Sequence, residues 1–457
     1  MLAAQKDVEV RHELLERLAD ARSQTDALFA LLRPESLYRR PIPERHRIIF
    51  YVGHLEAFDW NLFHERALAL KPFKAELDRL FAFGIDPVGG GLPADQPEDW
   101  PSQREVRDYV DQVRQTLDTG LEAALQSGPH GEFPVDLLLH VAIEHRLMHA
   151  ETLAYMLHQL PVEQKVQYAP IPELVAPSVT PTMVEIPAGP VTLGLPRTDD
   201  TFGWDNEYDA HGVSVPTFSM DRYMVTNGQY LEFMVADGYE NRDLWTEAGW
   251  NWKTEQNVIH PVFWKVRDHR WHYRTMFDEI PLPLDWPVYV SHAEASAYAR
   301  WAGKALPTEA QWQRAAYGTP EGGERRYPWG DQAAASRHGN FDFQRWDPTP
   351  VGAFPDGESA FGVSDLLGNG WEWTSTLFAP FAGFERFAFY PGYSADFFDG
   401  KHYVMKGGSP RTAACMLRRS FRNWFQPHYQ YVYAGFRCVS RGDVASNVST
   451  GYVSTAN

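Results

Sequence analysis

The chain has 457 residues, of which 44% are hydrophobic, and it carries a formal net charge of −18 at pH 7. This length accommodates two or three ordinary domains, and the strong negative charge argues against nucleic acid or an anionic membrane as a natural partner. Two cysteines, Cys415 and Cys438, are too few for a disulfide scaffold. The N-terminus is charged from residue 6, and no run of about 18 apolar residues occurs. These features predict a reduced cytoplasmic protein.

Residues 1–160 have the apolar spacing of helices. The first two helical segments are "VEVRHELLERLADARSQTDALFALL" and "RHRIIFYVGHLEAFDWNLFHERALAL", and the third is "SQREVRDYVDQVRQTLDTGLEAAL". A fourth extends from about Pro134, where a first-turn proline is tolerated, to Leu160, after which Pro161 follows. Four long helices with short links predict an up-down bundle over residues 1–160.

The composition changes after the bundle. Residues 161–182, "PVEQKVQYAPIPELVAPSVTPT", contain five prolines and no periodicity, which predicts an extended linker. From residue 183, short strand patterns alternate with glycine-containing turns and frequent tryptophan. Two helical segments stand out there, "NGQYLEFMVADG" and "SHAEASAYARWAGKALPTEAQWQRAAYG". The sequence therefore predicts a second domain over residues 183–445 and a tail over residues 446–457.

The fourth predicted helix contains "EHRLMHAET", in which His145 and His149 are four residues apart. Positions i and i+4 share a helix face, and two imidazoles on a mostly apolar face suit one metal ion. His54, in "YVGHLEAFDW" of the second helix, supplies a possible third ligand. Three neutral imidazoles suit Fe(II) with open positions, or zinc with one water. Glu151 could orient one ring. The spacing alone leaves open a chance pair of core histidines and a solvated glutamate.

Seven segments of the second domain carry a family signature, namely "MVEIPAGPVTLG", "FGWDNEYDAHGVSVPTFSMDRYMVTNGQYLEFM", "ALPTEAQWQRAAYG", "YPWGD", "DLLGNGWEWT", "MKGGSP" and "AGFRCV". In this order they resemble the sulfatase-modifying-factor, or formylglycine-generating-enzyme, family. The resemblance implies an α+β multidomain fold in which a DinB-like four-helix bundle precedes a C-type-lectin-like domain. Turn-forming glycines and buried tryptophans such as Trp371 and Trp373 stabilise loops in such a domain, so we expect them to be structural.

The cysteines of the second domain depart from the formylglycine-generating pattern. Those enzymes use a cysteine pair shortly after the "GGS" segment to bind copper. In this chain, "GGSPRTAACMLRRSFRNWF" contains only Cys415, and Cys438 lies much later in the chain. We therefore do not expect formylglycine generation.

The combination of the two domains resembles the sulfoxide synthases of ergothioneine and ovothiol biosynthesis and the related selenoneine synthases. These are non-haem iron-dependent oxidoreductases with one histidine ligand on the second helix and an HxxxH pair on the fourth. The resemblance implies that His54, His145 and His149 bind Fe(II). It also implies a substrate pocket where the domains meet, and hercynine as the acceptor for a small-molecule chalcogen donor and O₂.

Substrate residues follow from the same resemblance. "RNWFQPHY" matches the segment that holds the betaine end of hercynine, which implies Asn423 and Trp424. A quaternary ammonium donates no hydrogen bonds and is best held over an aromatic face, although Trp424 could also be a packing residue. Phe425 stands where the branch that uses glutamylcysteine has an acid.

The sequence also offers candidates for the residue that donates a proton and for the residues that bind the chalcogen donor. Tyr390 and Tyr393, in "FAFYPGYSADFFDG", lie in a stretch that resembles the catalytic-tyrosine region, and either could donate a proton or simply pack. Arg104 and Arg107 could anchor a donor carboxylate or sugar, or could be ordinary exposed helix residues.

The unusual "GGSPRTAA", Phe425 and the absence of a tyrosine pair in "LFAFGIDPVGGG", which we expect to form the loop after the second helix, mark an atypical branch. They favour a selenoneine synthase that uses a selenosugar. The alternative is an ergothioneine-type sulfoxide synthase that uses cysteine or glutamylcysteine, and an ovothiol-type enzyme is third. A zinc-dependent DinB-type thiol transferase or hydrolase and a lectin-like binding module are the candidates from other classes.

Overall fold

The computed structural model describes residues 2–84, 92–127, 131–166, 168, 174–198 and 201–440. The chain divides into two compact units. The first comprises Met1–Pro170 together with Thr275–Asp278, and the second comprises Ile171–Arg274 together with Glu279–Asn457. The predicted tail lies outside the described residues.

The first unit is helical. Its described helices are α1 (Leu2–Ala30), α2 (Ile48–Phe63), α3 (Ala75–Phe83), α4 (Gln103–Ser127) and α5 (Val135–His158). The four predicted helices correspond to α1, α2, α4 and α5. Within the part of the chain that the structure describes, no helix is both long enough and apolar enough to cross a membrane.

Two details of the helical prediction were wrong. Helix α2 ends at Phe63 rather than near residue 70, because the chain turns there and Ala69 adopts a positive φ of 49°. The start of "LFAFGIDPVGGG" is not a loop, because its first four residues end α3, while residues 85–91 lie outside the described part. Gly84, with φ of 72°, terminates α3. A helix of nine residues is too short to show a clear apolar period.

Helices α4 and α5 differ in how much of their surface is buried. On α4 only one face is buried, and its residues recur at helical spacing: Val106, Tyr109, Val113, Leu117 and Leu121. Helix α5 is buried on nearly every side, and it packs along α1 and against α2. Helix α2 contacts α3, α4 and α5, so it occupies the centre of this unit.

The first part of the predicted linker packs within the helical unit. Lys165 is 3% exposed and pairs with Leu32 in a β-bridge. Its ammonium donates to the carbonyl of Met276 and to that of Leu157, the latter at 3.3 Å. Tyr168 stacks on Phe277, with ring centroids 5.1 Å apart. Residues 275–278 thus complete the helical unit, although they lie far from it in sequence.

The second unit contains small sheets. Its described strands are β1 (Met183–Ile186), β2 (Gly189–Leu193), β3 (His211–Val215), β4 (Phe218–Asp221), β5 (Trp264–Arg267), β6 (Arg270–Arg274), β7 (Glu279–Pro281), β8 (Lys304–Ala305), β9 (Gly370–Leu377), β10 (Tyr403–Gly408), β11 (Asn423–Phe425), β12 (Ala434–Gly435) and β13 (Val439–Ser440). They form sheets in the orders β1-β4-β13-β8, β11-β10-β9-β12, β2-β3 and β5-β6-β7. Strand β12 is parallel to β9, and the other pairs are antiparallel.

The helices of the second unit are short. They are α6 (Asn227–Val235), α7 (Glu247–Glu255), α8 (His292–Trp301) and α9 (Glu309–Tyr317). Helix α7 was not predicted. The single long segment predicted over residues 291–318 was wrong, since it forms α8 and α9. Gly303 has φ of 68° and follows the end of α8, and Thr308 begins a new capping box with Gln311.

The core of the second unit surrounds Trp312 of α9, with Phe218, Phe341, Leu366 and Val439 among its members. A fully buried ion pair joins Arg437 to Glu372 of β9, with Nε and Oε2 2.7 Å apart. Trp371 and Trp373 on the same strand are almost fully buried. They therefore belong to the packing of the sheet.

Candidate metal centre and aromatic site

Three histidines converge inside the helical unit. His54 lies on α2, and His145 and His149 lie one turn apart on α5. One potential ligand nitrogen from each falls within 4.8 Å of the others. The Nε2 atoms of His54 and His149 are 3.2 Å apart. The structure thus brings together the three residues whose spacing predicts a metal site.

The orientation of His54 depends on a close contact between α2 and α3. Its Nδ1–H donates to the carbonyl of Phe81, with Nδ1 and O 2.7 Å apart, which leaves the lone pair of Nε2 for a ligand. Gly53 makes this approach possible, because a Cβ there would lie 2.4 Å from the Phe81 ring. Neither Gly53 nor Phe81 was identified from the sequence.

Aromatic side chains cover the imidazoles. The ring of Phe58 stacks on His145 with centroids 3.4 Å apart, and the ring of Phe50 stacks on His54 at 4.7 Å. Tyr51 lies 5.8 Å from His149 between ring centroids. These rings confine the imidazoles to one rotamer each and keep their surroundings apolar.

The electrostatic environment keeps all three rings neutral. Burial lowers the pKa of His54 to about 4, and it lowers the pKa of His145 and His149 well below the ordinary value. A neutral imidazole is the form that binds a metal. Nδ1 of His149 is buried without a hydrogen-bond partner among the described residues. The donor set therefore fits a cation that accepts imidazole nitrogen.

A buried charge cluster lies beside the triad. Arg146, next to His145, donates to Glu56 Oε1 at 3.0 Å and to Asp59 Oδ2 at 2.6 Å. Arg114 of α4 also donates to Glu56, at 2.7 Å, and to Asp26 of α1. Because Glu56 and Asp59 belong to α2 and Arg146 belongs to α5, the cluster fixes the two ligand-bearing helices together. The sequence signal was two acids three residues apart in a mostly apolar helix.

The other predicted residues of the helical unit are placed differently. The side chain of Arg104 is 88% exposed and lies 3.8 Å from Asp108 on the same helix. Arg107 is also exposed on α4. Glu151 is buried in α5. The structure shows no contact of Arg104 or Arg107 with the triad among the described residues.

In the second unit, Asn423, Trp424 and Phe425 form the edge strand β11, which pairs with β10. Trp424 stacks on Phe378 with centroids 4.1 Å apart and planes 6° from parallel. Phe425 points to the opposite face by strand alternation and stacks on Tyr429 at 5.0 Å. One face of Trp424 is thus taken by Phe378.

The two candidate tyrosines lie close to this tryptophan. The ring of Tyr393 meets that of Trp424 edge-on, with centroids 5.5 Å apart, and it stacks on Trp204 at 3.9 Å. The ring centroid of Tyr390 is 5.7 Å from that of Tyr393. Burial, with a further contribution from the charge of Asp205, raises the pKa of Tyr390 to about 12. At neutral pH this phenol keeps its proton.

The two cysteines are free. Cys438 is fully buried, and burial raises the pKa of its thiol well above the ordinary value. Cys415 is half-buried in a 3₁₀ turn, Ala414–Met416. An inert core thiol is not the reactive partner that a copper-binding pair requires.

Two family models match the chain. The Sulfatase-modifying factor enzyme 1-like domain matches residues 172–442, and the DinB superfamily matches residues 17–153. These matches confirm the expected fold class, a DinB helical domain followed by a sulfatase-modifying-factor domain.

Named proteins are similar to the chain, some of them over most of its length. The hercynine oxygenase of Mycolicibacterium smegmatis is 34% identical over 93% of this chain and 98% of its own length. The hercynine oxygenase of Mycolicibacterium thermoresistibile is 40% identical over 57% of this chain, and that match spans 59% of its length. Ergothioneine biosynthesis protein 1 of Neurospora crassa is 28% identical over 90% of this chain and 55% of its length.

Proposed function

We propose that this chain, which belongs to the hercynine oxygenase family, joins a thiol sulfur to the imidazole of hercynine with O₂ as oxidant. The observation that carries the proposal is the buried triad of neutral imidazoles, with its ligand atoms within 4.8 Å of one another. We infer that His54, His145 and His149 hold Fe(II). Bound iron supplies the redox chemistry with O₂ that protein side chains lack.

The thiol donor replaces the selenosugar that the sequence favoured. The relatives named above are two hercynine oxygenases and an ergothioneine biosynthesis protein, which supports the ergothioneine-type alternative. None of them gives support to a selenosugar. Phe425 and "GGSPRTAA" remain unusual for the family, so cysteine and glutamylcysteine are both kept as donors.

The overall reaction balances as follows. A C–H bond of the imidazole and the S–H bond of the thiol break, and a C–S bond forms. One oxygen atom of O₂ becomes the sulfoxide oxygen, and the other leaves as water with the two hydrogens. The substrates give up four electrons, which O₂ accepts.

In the helical unit, the protein holds the three imidazoles in a fixed orientation and in the neutral form that binds a metal. The Phe81 carbonyl fixes the tautomer of His54, and Phe50 and Phe58 keep the rings in place. Because burial keeps the imidazoles neutral, no proton has to be displaced when the metal binds at neutral pH.

In the second unit, Trp424 would hold the trimethylammonium group through its ring face, and Asn423 would assist at the betaine end. A phenol at Tyr390 or Tyr393 would donate a proton to the oxygen atom that leaves as water. The phenol of Tyr390 carries the proton that this role requires at pH 7, and its raised pKa makes it a weaker acid than an ordinary tyrosine. Arg104 and Arg107 remain candidate donor anchors, to be tested with the thiol and its acidic derivatives.

The decisive experiment is a product assay on protein loaded anaerobically with Fe(II). It receives hercynine and air, with cysteine, glutamylcysteine or a selenosugar in parallel, and mass spectrometry reads the adducts. A hercynine sulfoxide adduct from a thiol supports the proposal. A selenium adduct from the selenosugar alone would return the chain to the selenoneine branch.

The same preparation separates the candidates from other classes. A zinc-dependent thiol transferase would be active with Zn(II) and would consume no O₂. A lectin-like module would bind ligand equally well after His54→Ala, His145→Ala and His149→Ala together. Either result would contradict the proposal.

A further inference from the structure

Two parts of the second unit lie against each other around the candidate tyrosines. We name residues 381–398 the tyrosine loop, and residues 204–207, "WDNE", the WDNE segment. The loop has little regular structure. Its backbone hydrogen bonds are short-range turns, such as Tyr390 N–H to Phe387 O and Tyr393 N–H to Tyr390 O, at 3.2 and 3.3 Å. Its shape therefore depends on anchors outside it.

Asp205 supplies one such anchor through its carboxylate. Its Oδ1 accepts from the hydroxyl of Ser394 at 2.6 Å, and both residues are fully buried. Ser394 directly follows Tyr393 in the chain. One buried side chain thus fixes the end of the turn that carries the two phenols.

Further contacts extend along the loop. Trp204 stacks on Tyr393, as described above, and the centroid of its ring is 6.3 Å from that of Tyr390. Nearer the start of the loop, Arg197 donates to the carbonyl of Gly383 at 3.1 Å. The ring of His211 lies edge-on to Phe381 at 4.6 Å.

The WDNE segment also contacts the chain that leads into β11. Glu207 Oε2 accepts from Arg418 Nε at 2.8 Å and from Ser420 Oγ at 2.6 Å. The neighbouring Arg422, which directly precedes Asn423, pairs with Glu309 at 2.9 Å. The segment therefore connects the tyrosine loop on one side with the strand of Trp424 on the other.

We propose that Asp205 is a positioning residue that, through Ser394, holds the tyrosine loop so that a phenol faces the substrate at Trp424. This inference rests on the proposed function, because it presumes that Tyr390 or Tyr393 acts in the reaction. Asp205 itself acts through the loop. Burial raises the pKa of its carboxyl, while the hydrogen bond from Ser394 opposes that shift.

The test uses the full-length, iron-loaded protein with 3-fluorotyrosine at position 390, read by ¹⁹F NMR. Asp205→Ala removes the acceptor carboxylate, Ser394→Ala removes the donor hydroxyl, and Asp205→Asn keeps an acceptor oxygen. We expect one narrow resonance in the parent protein and in Asp205→Asn. Asp205→Ala should give a shifted or multiple resonance, and Ser394→Ala a smaller change in the same direction.

Turnover gives the second readout. For Asp205→Ala we expect kcat to fall about 10- to 100-fold, because a displaced catalytic group is costly, while the KM for hercynine changes little. Product formed per O₂ consumed should fall as well. Asp205→Asn should restore most of kcat. The matched control is Asp365→Ala, which removes another buried carboxylate of the same unit that accepts from the Gly352 N–H at 2.7 Å, outside the loop.

An unchanged ¹⁹F spectrum in Asp205→Ala, or the same spectral change in Asp365→Ala, would overturn the inference. If Asp205→Ala does not fold, Ser394→Ala carries the test, since it deletes one atom, and an unchanged spectrum there also overturns it. Failure of the proposed function looks different. If Tyr390→Phe and Tyr393→Phe both keep full kcat, the tyrosine role is wrong, even where the ¹⁹F spectra establish the anchors.

Discussion

In the helical unit, the three histidines lie on two regular helices, His54 on α2 and His145 and His149 one turn apart on α5. In the second unit, Tyr390 and Tyr393 lie on a loop, and Trp424 lies on a three-residue edge strand. The helices hold their side chains through backbone hydrogen bonds that repeat along the element. The loop depends on side chains that come from distant positions, among them Asp205. The difference shows that one chain can position one set of functional residues by regular helix geometry and another set by side-chain contacts between residues far apart in sequence.

The largest effect should follow from removal of a triad histidine. His145→Ala or His149→Ala should lower Fe(II) affinity by more than about 100-fold, since even outer-shell changes cost about 10- to 100-fold. An anaerobic Fe(II) titration with metal analysis measures this. The control is His140→Ala on the same helix, which should bind iron like the parent protein. Equal iron content in all three variants would show that the helices do not hold the metal.

Loss of one buried arginine in each unit should be the next largest effect. Arg146→Met leaves Asp59 without its ion-pair partner, whereas Glu56 keeps Arg114, and Arg437→Met removes the partner of Glu372. Each should lower the local free energy of unfolding by about 3–5 kcal/mol, because an uncompensated buried charge remains.

Hydrogen exchange with mass spectrometry can locate both losses. Amides of α2 and α5 should lose protection in Arg146→Met, and those of β9 and β10 in Arg437→Met. Loss of protection across the whole chain in either variant would mean that the two units do not unfold separately.

A smaller effect should follow from Gly53→Ala. The new methyl group would press on the Phe81 ring, displace α3 and weaken the hydrogen bond that orients His54. Fe(II) affinity should fall about 10-fold, as for other outer-shell changes. Gly120→Ala in α4 is the matched control, because its methyl group would meet the side-chain ends of Leu68, at 3.1 Å, and Leu70, at 3.4 Å, rather than an aromatic ring. Identical affinities for the two variants would exclude this role of Gly53.

A further effect, of similar size, concerns acid stability in the second unit. Burial lowers the pKa of His292 to about 3 from 6.5, and Arg300 and His428 add to the shift, although Thr374 O accepts from the ring. Since the unfolded chain takes up this proton first, the free energy of unfolding should decrease as the pH falls below 6.5. Between pH 7 and pH 5 the decrease from this group is about 2 kcal/mol.

Denaturant unfolding of His292→Gln at the two pH values measures that contribution. The variant should lose less stability than the parent protein between pH 7 and pH 5. An identical loss in both proteins would assign the acid sensitivity to other groups.

The sequence predicted the features that have local signatures. The spacing of His145 and His149 is visible because a helix repeats every 3.6 residues, and the ordered segments of the second unit indicated its family. Helix α3 and the split between α8 and α9 were missed, because short helices show little periodicity. The Phe81 carbonyl and the Arg146 cluster need knowledge of how helices pack. The bond between Asp205 and Ser394 joins residues 189 positions apart, which no spacing rule reaches.

The four residues at 275–278 affect whether the helical unit can be separated from the rest of the chain. A truncated protein that ends at residue 170 would lack the Met276 carbonyl that accepts from the buried ammonium of Lys165, and the Phe277 ring that packs on Tyr168. The helical unit is therefore not formed by one continuous segment of the chain. Any recombination that exchanges this bundle with that of another protein must also exchange the short insert, or must replace Lys165 with an apolar residue of similar size.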